Sequence, residues 1–126
     1  MNIDEGYFAR KKLILFGPVR LTNGKPIFEL KSVLAAVVEK NYLDIVIDLS
    51  RTQYIDSSGL GELVASYTTV RNRGGSLCLN RLTSKAKEFL QMAKLLNVIE
   101  VVDIDYSSSR IVEIDGVNLD LLPKLQ

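Results

Sequence analysis

Residues 44–49 (DIVIDL) constrain this chain more than any other segment. Their centre, Ile45-Val46-Ile47, is apolar and β-branched without a break, so a strand built from it sends apolar side chains to both faces. Such a strand belongs inside a sheet that is covered on either side, not on a half-wet one. Residues 12–16 (KLILF), stopped by Gly17-Pro18, read as a second buried strand, and residues 76–80 (SLCLN) and 98–102 (VIEVV) as two more. Between these runs the apolar spacing becomes helical. Turn residues 22–26 (TNGKP) place Pro26 where a first helical turn accepts it, and Ile27, Leu30, Val33, Leu34 and Val37 then predict a helix to about Lys40. Leu60, Leu63, Val64 and Tyr67 recur at i, i+3, i+4 and i+7. Ala86, Phe89, Leu90, Ala93 and Leu96 form a third stripe behind a cap at Thr83 or Ser84. Strands alternating with helices predict a layered α/β domain.

The chain of 126 residues suits one domain with a single core, and no repeat, linker or low-complexity tract divides it. Residues 1–8 can add a first strand. Residues 107–114 predict a short serine-capped helix, with an edge strand at 111–114 as the alternative. Sixteen basic and fifteen acidic residues leave a net charge of +1, without the basic excess that nucleic-acid binding usually needs. The Arg10-Lys11-Lys12 run reads as a solvated entry to a strand. No apolar run reaches the length of a membrane span and residues 1–8 lack a signal-like apolar stretch, so the expected location is the cytoplasm.

With a single cysteine, Cys78, and no histidine, neither a structural zinc site nor an imidazole-based triad can be assembled. No disulfide, metal or cofactor is expected. Gly59-Leu60-Gly61 lacks the spacing and lysine of a phosphate-binding loop. Asp48 ends a strand as in phospho-accepting receiver domains, yet Phe16-Gly17-Pro18 offers no acidic cluster beside it. Asp103 and Asp105 lack enough further oxygen ligands for a hard-metal site. Arg71, Arg73 and Arg81 read as a solvated rim around the Gly74-Gly75 turn.

One segment carries more. In Asp56-Ser57-Ser58-Gly59-Leu60-Gly61, Asp and Ser are the residues that cap a helix by accepting hydrogen bonds from its first amides. A cap alone does not need Gly59 and Gly61, each of which costs roughly 1 kcal/mol relative to alanine inside a helix. Two such glycines permit close approach by another backbone or a partner. A phosphate on a serine here would lie at the positive end of the helix dipole and add a charge of about −2. From these residues alone, a plain cap and a functional switch both stand.

A buried strand, a short polar connection and D-S-S-G-L-G opening an amphipathic helix closely resemble the STAS family, whose best-known members are bacterial anti-sigma-factor antagonists. The resemblance runs from residue 12 to about 102, leaving 103–126 without a match. It implies a single-domain fold with a mixed sheet of four to five strands and helices mainly on one face. It further implies a non-enzymatic, phosphorylation-switched binding module in signal transduction and transcription regulation. Ser57, directly after Asp56, matches the serine that accepts phosphate from a partner serine kinase doubling as anti-sigma factor; Ser58 is the secondary candidate. The unphosphorylated form would bind that kinase, the phosphorylated form release it, and a metal-dependent serine phosphatase reset it. Asp56, Ser57, Ser58, Gly59, Leu60, Gly61 and Arg20 are the expected partner-binding residues. Many antagonists carry G-x-x-D after the second strand, whereas this chain reads Gly17-Pro18-Val19-Arg20, which points to a different partner. The family also holds scaffold subunits of stress-sensing complexes and small subunits of lipid-transport ATPases. The alternative is therefore a constitutive assembly subunit in which D-S-S-G is only a cap.

Overall fold

The computed structural model describes residues 12–103 and the backbone of residues 110–113. The chain forms β1 (Lys12–Phe16), β2 (Arg20–Leu21), α1 (Lys25–Glu39), β3 (Asp44–Asp48), β4 (Tyr54–Ile55) and α2 (Ser57–Asn72). It continues as β5 (Ser76–Asn80), α3 (Ser84–Met92), a 3-10 turn (Leu95–Asn97), β6 (Val101–Val102) and β7 (Arg110–Glu113). The strand expected in residues 1–8 lies outside the described residues.

A five-stranded sheet runs β6-β5-β3-β1-β7, and β2 pairs with β4 in a separate two-stranded ladder. The DIVIDL strand is central, as its two apolar faces require. The strand number agrees with expectation, but every described pairing is parallel where a mixed sheet was expected. The chain steps across the sheet in one direction, from β1 to β3 to β5 to β6, with a helix in each crossover. Right-handed crossovers stepping one way place their helices on one face.

The packing follows from register. Leu13, Ile45 and Leu77 form one rung across β1, β3 and β5, and Leu15, Ile47 and Leu79 the next on the same face. Both rungs are buried in one cluster with Leu30, Val33, Leu34, Val37 and Val38 of α1, Leu63 and Val70 of α2, and Ala86 and Leu90 of α3. Because side chains alternate along a strand, Ile14, Val46 and Cys78 form a rung on the opposite face. Ile14 and Val46 are buried there and Cys78 is half-buried.

Helix α1 buries the expected stripe. Helix α2 does not, because its buried residues are Gly59, Glu62, Leu63, Ser66 and Val70, while Leu60 and Tyr67 pack only at the core's margin. Turning Gly59 inward brings Glu62 and Ser66 with it. The Ser66 hydroxyl donates to Glu62 Oε2 at 3.4 Å, and Lys31 Nζ of α1 lies 3.7 Å from Glu62 Oε1, so the buried carboxylate is compensated.

The C-terminal part departs from expectation in three places. Helix α3 stops at Met92, and Lys94 takes a left-handed conformation (φ 60°), leaving Ala93 exposed. Residues 98–102 are not one strand. The amides of Val98 and Ile99 both donate to the Leu95 carbonyl at 2.9 Å, and only Val101–Val102 joins the sheet. Residues 110–113 form an edge strand beside β1 rather than part of a helix, as suits the β-branched pair Ile111-Val112 on the side of β1 away from β3. The rest of the 107–114 prediction lies outside the described residues.

Leu79 sits fully buried in the second rung. Replacing it with alanine is expected to cost about 2–5 kcal/mol in urea unfolding with an unchanged m value; a loss below about 1 kcal/mol contradicts this packing.

Candidate functional site

Strands β1, β3 and β5 end together at Phe16, Asp48 and Asn80, and the loops leaving them are tied to one another. The Gly17 amide donates to the Asp48 carbonyl at 2.8 Å, the Leu49 amide to the Asn80 carbonyl at 3.0 Å, and Arg51 Nε to the Gly17 carbonyl at 2.8 Å. The Thr52 hydroxyl donates to the Pro18 carbonyl at 2.7 Å, and the Thr83 hydroxyl, which caps α3, donates to the Thr52 carbonyl. Asp48 is fully buried; its Oδ1 accepts from the Ser50 amide at 2.8 Å and its Oδ2 from Arg81 Nε at 3.2 Å. It is a structural anchor. Arg81 therefore sits at the carboxyl end of β5, not on a rim around Gly74-Gly75, which precede that strand.

On this platform lies the β2–β4 ladder, which pairs Arg20 with Tyr54 and Leu21 with Ile55. Residue Asp56 then caps α2 in extended geometry. Its Oδ1 accepts from the Gly59 amide at 2.8 Å, the expected cap, and its Oδ2 accepts from the Asn23 amide at 3.0 Å. One carboxylate thus clasps the start of α2 to the turn before α1. The Asn23 amide holds the Asp56 carboxyl below its ordinary value; slight burial opposes this, and the Gly59 and Ser58 amides reinforce it.

The two glycines differ. A Cβ on Gly59 would overlap the Leu21 carbonyl oxygen and approach Ile55 Cγ2 to 2.8 Å, so this glycine lets α2 rest on β2. A Cβ on Gly61 would meet nothing within 4 Å, and Gly61 is exposed. Leu60 is half-buried against the core. Ser57 and Ser58 are both exposed at the first turn of α2. Arg20, also exposed, holds its guanidinium 4.8 Å from the Tyr54 ring centre, and Tyr54 meets Phe89 of α3 edge-on at 5.1 Å. The sequence gives no local sign of that stack, or of the Asn23 clasp, because each joins residues more than thirty positions apart.

Chemically, the site offers an exposed serine hydroxyl, and the carboxylate next to it in sequence is that of Asp56. Both oxygens of Asp56 are committed to amides, so it is poorly placed to take the Ser57 proton. A phosphoryl group on Ser57 would sit where a helix N-terminus favours negative charge. Among the described residues no group of three or more potential metal ligands occurs, and no helix is long and apolar enough to cross a membrane.

A family model for the STAS domain matches residues 27–109. The anti-sigma-B factor antagonist of Listeria monocytogenes is 27% identical over 77 residues, spanning 61% of this chain and 68% of that protein. Among solved structures, the Thermotoga maritima protein TM1081, described as a candidate anti-sigma factor antagonist, superposes with a TM-score of 0.62 at 24% identity, over 72% of this chain and 80% of that one. The unphosphorylated anti-sigma factor antagonist SpoIIAA gives 0.60 at 17% identity over 74% and 81%. Phosphorylated SpoIIAA, from Bacillus, gives 0.55 at 18% identity over 74% and 84%.

Two predictions follow from the clasp and the glycines. Because the folded Asp56 carboxyl titrates below its ordinary value of about 3.9, its contribution is complete above that value and fades as pH falls through the lowered one. Asp56→Asn should therefore be less stable than the wild type at pH 7, with melting curves converging as pH drops from about 5 towards 2; a pH-independent gap contradicts the clasp. Gly59→Ala should melt below the wild type despite alanine's better helix propensity, whereas Gly61→Ala should melt at or slightly above it, by up to about 1 kcal/mol.

Proposed function

The chain belongs to the STAS domain family, and on that premise we propose that it is a phosphorylation-switched binding module of the anti-sigma-factor-antagonist type. Unmodified, it binds a serine kinase that acts as anti-sigma factor; phosphorylated on Ser57, it lets that partner go, and a metal-dependent serine phosphatase restores it. The observation that carries this reading is the exposed Ser57 hydroxyl at the first position of α2, directly behind a fully engaged cap. A helix start held this firmly can take an added anion without unwinding. The likeness of the chain to SpoIIAA in both its unphosphorylated and phosphorylated forms supports that view, since one fold serves both.

Exchange at such a site acts at the surface. Phosphoserine brings about two negative charges and three acceptor oxygens to a face that a partner covers. Gly61, with open space around it, fits the same picture, because a missing side chain on an exposed helical turn lets a partner backbone lie close.

The decisive experiment is phosphorylation by the serine kinase of the same organism, followed by fragment mass analysis and binding titrations. Phosphate is expected on Ser57 and not Ser58, with kinase affinity falling on modification. Phosphate only on Ser58, or on neither serine in a chain that still forms a stable complex, would instead favour a constitutive assembly subunit. Ser57→Asp is expected to keep or slightly raise thermal stability, by roughly 0.3–1 kcal/mol from the helix dipole. It should weaken kinase binding less than true phosphorylation does, and Gly61→Ala should weaken it without loss of fold. Lost amide protection along α2 on phosphorylation would refute a surface switch.

A further inference from the structure

Three residues before Ser57 begins a strip of side chains that the fold leaves exposed or half-buried. Tyr54, 39% exposed, precedes the Asp56 cap by two residues, and its ring carries Arg20 on one side and Phe89 on another. On α3, Lys85, Phe89 and Met92 stand at i, i+4 and i+7, which puts them on one face over about 10 Å of helix. Lys85 is exposed and Met92 is 81% exposed. The strip therefore has two cations, Arg20 and Lys85, flanking an aromatic and thioether centre.

Neither cation forms an ion pair with a described residue. Two acids stand near this face in sequence: Asp56 spends both oxygens on the Asn23 and Gly59 amides, and Glu88, three positions from Lys85 on α3, forms no ion pair with a described residue. The face that carries Tyr54, three residues before the proposed phosphorylation site, thus presents two cations that no described acid pairs with. Arg20 is also held in place, since stacking on Tyr54 limits the side-chain freedom it would lose on binding.

The geometry points to an acidic, amphipathic protein segment as the occupant of this strip, with carboxylates towards Arg20 and Lys85 and apolar side chains on Tyr54, Phe89 and Met92. This rests on the switch reading above and gives it a partner chemistry. Two cations are too few for a nucleic-acid surface, which engages many phosphates at once. They suit a protein interface, where exposed methionine adapts to varied apolar surfaces and arginine pairs carboxylates bidentately. The same charge explains release. A phosphate at Ser57 brings about −2 to the edge of a face that attracts carboxylates, turning attraction into repulsion.

The test is calorimetric titration of the purified serine kinase that modifies Ser57, at about 0.05 M and 0.5 M salt, since screening separates charge from contact. Arg20→Glu and Lys85→Glu should each lower affinity roughly tenfold at low salt, with the loss shrinking at high salt. Met92→Ser should lower affinity equally at both salts. All three positions are exposed, so melting temperatures should stay near wild type and separate binding from folding. If wild-type protein binds the kinase and releases it on phosphorylation while Arg20→Glu binds undiminished at low salt, the acidic-partner inference is wrong and the switch stands. If wild-type protein binds no serine kinase, the switch reading fails and the inference fails with it.

Discussion

Burial of β3 on both faces is the constraint from which the remaining architecture follows. Ile45, Val46 and Ile47 are each nearly inaccessible, so β3 needs a strand on either edge and a layer on each face. With β1 and β5 in parallel register beside it, the connecting helices must cross over, and α1, α2 and α3 come to one face. All three strands then end at one level, and α2 begins there. The exposed serines stand at that end of the sheet because a parallel α/β fold gathers its strand-to-helix loops there. The candidate surface is a consequence of how one hydrophobic strand is satisfied.

The site is built for rigidity rather than motion. Four loop segments are cross-tied by side-chain-to-backbone bonds from Arg51, Thr52, Thr83 and Asp56, each reaching across more than thirty positions or capping a helix directly. Gly59 lets α2 settle on the Leu21 carbonyl, so the ladder of two short strands becomes a fixed shelf beneath the first turn. On the proposed switch, a charge added on such a shelf alters what the surface attracts while leaving its shape in place.

Much of this was legible in the residues. The central strand, the helix behind Pro26, the Asp56 cap and the Thr83 cap each depend on chemistry within a few positions, and that is what a single sequence encodes openly. What escaped reading depends on distant partners. The inward turn of α2, which buries Glu62 and Ser66 in place of Val64, is set by Leu21, far away in sequence. Arg81 finds Asp48 across two strands. The fate of residues 98–102 was decided by amides bonding back to Leu95, a competition that apolar periodicity does not register. Residues 110–113 are a strand because β1 offers an edge, and an edge is a property of the assembled sheet.

That last pairing has a consequence for how the molecule is made. Strand β7 lies against β1, so the sheet joins segments from nearly opposite ends of the chain, while each other neighbouring pair of its strands can form as soon as the intervening helix is complete. At ribosomal speeds of 5–20 residues per second, the roughly 100 residues between the two strands take about 5–20 s to synthesise. Through that interval no other described strand pairs the second side of β1, a hydrogen-bonding edge that other nascent chains could pair with. Crowded polysomes would therefore tax this protein more than dilute refolding does, and the hazard ends when its last described strand is delivered.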